Sequence, residues 1–353
     1  MIRSTTNGTL AGYRYNLQRS TYTLNKSRDT VLTQRKFNSF AEDPAAAARS
    51  FQLRRSYLRT ESQHEVGESV TKKYDVAWST LDSVLSSVNQ QIDGSAYSAI
   101  VKAESDTSGA GRNALGQSLS QMAESIVLTM NGRYGDNYVF AGADGLNIPF
   151  TWETGDDGKR ALCYRGVSVN AADGSDALAV LDYMSKEEAK YVDLGLGLEE
   201  DANGNIIDSS AANVAIQGIN YLGYGLDKDE DPKNIVSIMS RMGEILQNCD
   251  ADSGDFAAGE KEEFYRLAGK FEDAAALLSD KHVELDAEAE FLQGNQTQLE
   301  NLSYTLNEQI TSIEDVDLAE AITAFSWAQY CYNAALQAGN SILSQSLMDY
   351  LHS

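Results

Sequence analysis

Residues 306–325 read LNEQITSIEDVDLAEAITAF, and a helix has to stop and restart inside that stretch. Leu306 and Ile313 close a run in which Leu292, Leu299, Leu306 and Ile313 recur every seven residues, the spacing that keeps one seam of a helix turned towards a partner helix. After Ile313 the charges of EDVD break the apolar rhythm. Asp317 then stands where its side-chain oxygen can accept the free amides of a new first turn, and Glu320, three residues on, completes a capping box. From there Leu318, Ile322, Phe325, Tyr332, Leu336 and Leu343 form a last apolar seam. This end of the chain therefore predicts a core helix over about 261–311 and a helical arm over 312–353.

The other end mirrors it. Leu10, Leu17, Leu24 and Val31 also recur every seven residues, which predicts a coiled-coil-like N-terminal arm over 1–43. That arm breaks at KFNSFAEDPAAAA, where Asp43 can cap the next helix, Pro44 suits its first position and the alanines favour propagation. The apolar residues Leu53, Tyr57, Tyr74, Trp78, Leu81, Leu85, Val88 and Ile92 predict a second helix continuing to about Ile100. A Ser/Gly-rich patch, SDTSGAGRNALG, is expected to interrupt it before an amphipathic stretch through Leu119, Met122, Ile126 and Met130.

From Asn137 to about Asp231 the texture changes to short runs punctuated by glycine, among them YVFAGADG, ALCYRGVSVN, KYVDLGLGL, and NII after the turn Asn203-Gly204. Helical patterning returns at NIVSIMSRMGEIL. The expected architecture is mainly α with a β-rich insert. The N- and C-terminal arms (1–43 and 312–353) pair in a coiled-coil bundle, core helices occupy 44–136 and 261–311, and residues 137–260 form a central β-rich, α+β outer domain.

Charge is unevenly placed. The chain carries 28 Lys and Arg against 52 Asp and Glu, a net −24, which argues against nucleic acid and anionic membrane surfaces as partners because both repel it. Residues 1–73 nevertheless hold 13 basic against 6 acidic residues, whereas residues 264–353 hold 3 against 14. The two ends are electrostatically complementary, which predicts that charge sets their register. No stretch approaches the ~20 apolar residues that span a bilayer, and the N-terminus lacks the pattern of a secretory signal.

Chemistry is hard to find. Cys163, Cys249 and Cys331 are widely spaced and read as small core residues. His64, His282 and His352 are the only histidines, no two are spaced as ligands on one helix, and no GxSxG or HExxH motif is present. Asp227, Asp229 and Asp231 take the first, third and fifth places of a calcium loop, but Pro232 and Ile238 stand where glycine and a bidentate Glu are required. Asp201, Asn203 and Asn205 fail in the same way, and both runs read as solvated turns. No catalytic, cofactor or metal residue is assigned, and a structural, non-enzymatic role is expected.

Four places together resemble the bacterial flagellin family, and within it the hook-filament junction proteins. They are FNSFAEDPAAAAR after the N-terminal heptads, GDNYVFAG followed by Pro149-Phe150, the run quoted first with Asp315, Asp317, Ala319, Glu320 and Ala321, and the ending LSQSLMDYL. The first and third are shared with flagellin itself; the second and fourth favour the junction type. The middle of the chain adds only the stretch INYLGYGLD.

The resemblance implies an extracellular subunit of the bacterial flagellum, exported through the flagellar type III apparatus without a cleaved signal and held beforehand by an export chaperone. It implies assembly in a ring with other copies, between the first hook-associated protein and flagellin. The assembly interface is then expected at Leu10, Leu17, Leu24 and Val31 against Leu318, Ile322, Phe325, Tyr332, Leu336 and Leu343, with Asp43 and Pro44 as the inter-domain turn. The alternatives are a flagellin filament subunit and a surface-binding module on a helical stalk.

Overall fold

The structure is a computed structural model. It describes residues 2–89, 93–154, 160–201, 204, 206–207, 210–250 and 252–351, the side chains of 2–7, 9 and 342–351 excepted. It is mainly helical with small antiparallel sheets in its central region, as the sequence predicts. Two compact units divide the chain: residues 1–61 with 300–353, and residues 62–299. Two long helices, α2 (Pro44–Val88) and α8 (Glu260–Glu314), contribute to both.

In the first unit α1 (Ile2–Thr33) pairs lengthwise with α9 (Leu318–Leu351). The chain leaves α1 through Gln34 at φ 57, and a bridge joins Arg35 to Asp315. The Lys36 amide donates to Glu314 O at 2.7 Å and the Val316 amide to Gln34 O at 3.1 Å. The loops that begin and end the two core helices are thus stitched together by backbone. α2 starts at the proline, with the Ala46 amide donating to Asp43 Oδ1 at 3.0 Å.

The second unit is built around α3 (Ala96–Ser105), α4 (Gly109–Met130) and α7 (Ile235–Gln247). α2 ends at Val88 instead of continuing to Ile100, and Ile92 falls outside the described residues. Gly94 at φ 87 and the Ser95 cap, whose hydroxyl accepts from the Ser98 amide, begin α3 afresh. The Ser/Gly-rich patch interrupts the helices as expected. It breaks only at 106–108, and Ser108 caps α4, which runs straight through the glycines. Their role is close packing: a Cβ on Gly116 would lie 2.7 Å from Gly243 O of α7, so the two backbones approach where no side chain fits.

The strands are short. β1 (Arg133–Tyr134) pairs with β2 (Asn137–Tyr138), and β3 (Ala141–Gly142) with the distant β9 (Ile216–Gln217). β4 (Phe150–Thr154), β5 (Arg160–Tyr164) and β6 (Val167–Ser168) form a three-stranded meander, and β7 (Tyr191–Val192) pairs with β8 (Ala212–Asn213). The β5–β6 turn places Arg165 and Gly166 at φ 49 and 81, the positive pair that a tight hairpin of the right twist needs. Asn203 falls outside the described residues, while Gly204 has φ 82 and a bridge joins Glu200 to Ile206. Two further helices, α5 (Asp176–Lys186) and α6 (Ile219–Leu222), interrupt the strands. One apolar core joins all these parts, with Leu81, Leu119, Met130, Phe140, Phe150 and Tyr164 essentially fully buried.

Candidate assembly interface

The α1–α9 pair is the part of the molecule the sequence singled out. On α1 the heptad residues Leu10, Leu17, Leu24 and Val31 are all half-buried. On α9 the side turned to a partner is Ala321, Phe325, Ala328, Tyr332, Ala335 and Gly339, a four-three alternation in which Ala321 and Ala328 are each only 5% exposed. The Tyr13 hydroxyl lies where a Cβ on Gly339 would stand. With Gln34 joined to Val316 at one end and Tyr13 on Gly339 further along, the two helices run antiparallel. Large residues of α1 are accommodated by small ones of α9, which lets the axes come close.

Of the expected α9 residues, Phe325 and Tyr332 lie in this seam. Leu318, Ile322 and Leu336 do not: they are 43%, 47% and 43% exposed. The side chain of Leu343 lies outside the described residues. Alanines at heptad spacing carry the intrachain contact, and a reading that follows large apolar side chains passes over them. Trp327 and Tyr330 are exposed too, each 68%, and stack on one another at 5.9 Å, although Trp327 lies about half a turn round the helix from Leu318 and Leu336. α1 adds Tyr15, Tyr22 and Leu32 to the exposed apolar set. Cys331 is exposed as well, unlike buried Cys163 and Cys249, because it sits outside the alanine seam.

The base of the hairpin is held by Glu314, a residue the sequence reading did not single out. Its carboxylate is buried and accepts from Arg54 Nε at 2.7 Å, from Arg54 Nη2 at 2.5 Å and from the Ser50 hydroxyl. Arg35 approaches at 3.6 Å. The Arg54 hydrogen bonds, with Ser50 and the two guanidinium charges, hold the Glu314 carboxyl at about 2. The available sequence signal was Ser50 and Arg54 on one face of α2, four residues apart. At the start of α9, Asp317 Oδ1 accepts from the amides of Ala319 and Glu320 at 2.9 and 3.3 Å.

Charge does not act as expected between the arms. Among the described residues no ion pair joins α1 to α9, because Glu320 is the one acidic side chain described on α9. The acidity of this end resides on α8. The carboxylates of Asp227, Asp229 and Asp231 do converge, to within 4.8 Å of one another, but not as a solvated turn. Lys270 Nζ stands 2.5 Å from Asp227, 3.2 Å from Asp229 and 2.5 Å from Asp231, and Arg266 Nε 2.5 Å from Asp231. Asp231 is buried, and its carboxyl is depressed chiefly by the Arg266 hydrogen bond. The cluster carries its own cations where a metal would sit.

No protein-family profile and no curated protein matches the sequence. Solved structures do. A structure from Vibrio parahaemolyticus, assigned as a flagellar hook-associated protein, aligns with 78% of this chain and 100% of its own at 13% identity and a TM-score of 0.55. The fold is that of a flagellar hook-associated protein. FlgL of Bacillus cereus aligns over 74% of this chain and 99% of its own at 16% identity (TM-score 0.45), and FlgL of Xanthomonas campestris over 73% and 99% at 14% (0.39). No helix among the described residues is long and apolar enough to cross a membrane.

Proposed function

We propose that this chain is a structural subunit of the bacterial flagellum, a hook-associated protein at the hook-filament junction. What carries the reading is the hook-associated fold together with an α1–α9 pair whose outer flank stays apolar and uncovered. Exposed apolar side chains of this density mark a surface that another chain covers. The occupants are further copies of this chain in a ring, with the first hook-associated protein below and flagellin above. Leu10, Leu17, Leu24 and Val31 with Phe325 and Tyr332 hold the hairpin together. Leu318, Ile322 and Leu336 face the neighbour. Export through the flagellar type III apparatus, with a chaperone on the C-terminal helix, delivers the subunit outside the cell; a pair of arms that owes its order to packing suits that route.

Electron microscopy of flagella from cells lacking this gene tests the proposal, with flagellin assayed in the medium. Bare hooks and flagellin lost to the medium are expected. Normal filaments overturn a junction role, and absence of flagellin itself would make this chain the filament subunit.

A further inference from the structure

The insert is acidic: residues 140–263 hold 25 Asp and Glu against 9 Lys and Arg. One cleft departs from that pattern. It lies between α2, the β1–β2 hairpin and the start of β7, and its lining includes Val70, Lys73, Tyr134, Asn137, Tyr138 and Lys190. Lys73 reaches in from α2 and donates from Nζ to Val214 O at 3.0 Å. An ammonium has three donors, and among the described residues this is the bond it makes.

The acids nearby are engaged elsewhere or unpaired with these lysines. Glu68 pairs with Lys72 at 2.6 Å and Glu188 with Arg165 at 2.7 Å, while Asp136, an exposed residue, lines the cleft in ion-pair contact with neither lysine. The charge acting most directly on Lys73 is instead the like charge of Lys190, and burial together with that repulsion draws the Lys73 amine down to about 8. Arg133, over the Tyr138 ring at 4.2 Å, adds another positive group to the hairpin. A half-buried ammonium outside any ion pair is costly, and among the described residues neither lysine forms one, although exposed Asp136 lines the same cleft.

We propose that this cleft binds a carboxylate-bearing group between the Lys73 and Lys190 ammoniums, flanked by the polar side chains of the β1–β2 hairpin. A singly charged carboxylate fits better than a phosphate dianion, which Asp136 and the surrounding acidity oppose more strongly. Two sources offer that chemistry: a small free acid, and a Glu or Asp side chain of an extended peptide segment.

The test is amine labelling of the full chain with fluorodinitrobenzene, read at each lysine by mass spectrometry from neutral to alkaline pH. Lys73 is expected to become reactive near pH 8. Acetate or a hexaglutamate peptide, at ionic strength matched with sodium chloride, slows labelling at Lys73 and not at Lys261. A bound carboxylate that restores one unit to the Lys73 pKa cuts its free amine about tenfold. Protection by acetate assigns a small acid, and protection by the peptide alone assigns an acidic segment. In Lys190→Gln, the Lys73 midpoint rises and the protection weakens. Protection by neither probe, equal protection by sodium chloride, or stronger protection by inorganic phosphate overturns the assignment.

Discussion

α4 with α7 and α1 with α9 are both helix pairs, and they end in opposite conditions. In the first, Leu119, Ala123, Ile126 and Met130 meet Ile238, Met239, Met242 and Leu246, every one at most 2% exposed, and Gly116 lies against Gly243. In the second, one seam closes over alanines, while Trp327 and Tyr330 remain 68% exposed and Tyr15 and Tyr22 66% and 67%. Both pairs are apolar enough to associate. They differ in whether the chain has anything left to put on the far side. The first pair is finished within one molecule; the second keeps apolar side chains exposed, and we propose that a neighbouring subunit covers them.

Three substitutions test that contrast. Phe264→Ala opens a cavity under a fully buried ring of α8, and urea unfolding should report a loss of roughly 3–5 kcal/mol. If it costs no more than a surface change, the second unit is not self-sufficient. Arg54→Met leaves Glu314 buried without its main partner, a loss of about 1–3 kcal/mol, seen as faster hydrogen exchange in α1 and α9. The Glu314 carboxyl is held at about 2 against an ordinary 4.5, so its stabilisation is complete above the ordinary value and disappears as pH falls from there towards 2. Arg54→Met should weaken that acid dependence, leaving the part that Ser50 and Arg35 supply. Leu336→Asp should change the stability of the isolated chain by less than about 0.5 kcal/mol, yet prevent incorporation into flagella; normal motility in that strain removes the outer flank of α9 from the interface.

Much of this was legible before any coordinate. The two heptad ends, the Asp43-Pro44 restart, the Asp317 cap and the glycine-punctuated insert are local patterns, and local patterns report local structure. The failures share one cause. The Ser/Gly-rich patch does break the helix at 106–108, but its last glycine, Gly116, packs against Gly243 across 127 residues, a contact no local pattern reports. Ala321 and Ala328 were passed over because a small side chain gives a weak burial signal by itself. Asp231 was read as solvated because Arg266 and Lys270, on another helix, are invisible at its position.

By itself the sequence determined that helices restart at Pro44 and Leu318 and that both ends carry seams able to pair; capping chemistry and periodicity act over a few residues and need no third dimension. Tertiary structure decided which face of α9 closes against α1 and which stays open, that Glu314 would anchor Arg54 and Ser50, and that Lys73 and Lys190 would share a cleft. Those outcomes depend on which groups meet across long loops, where close approach and burial set the energy.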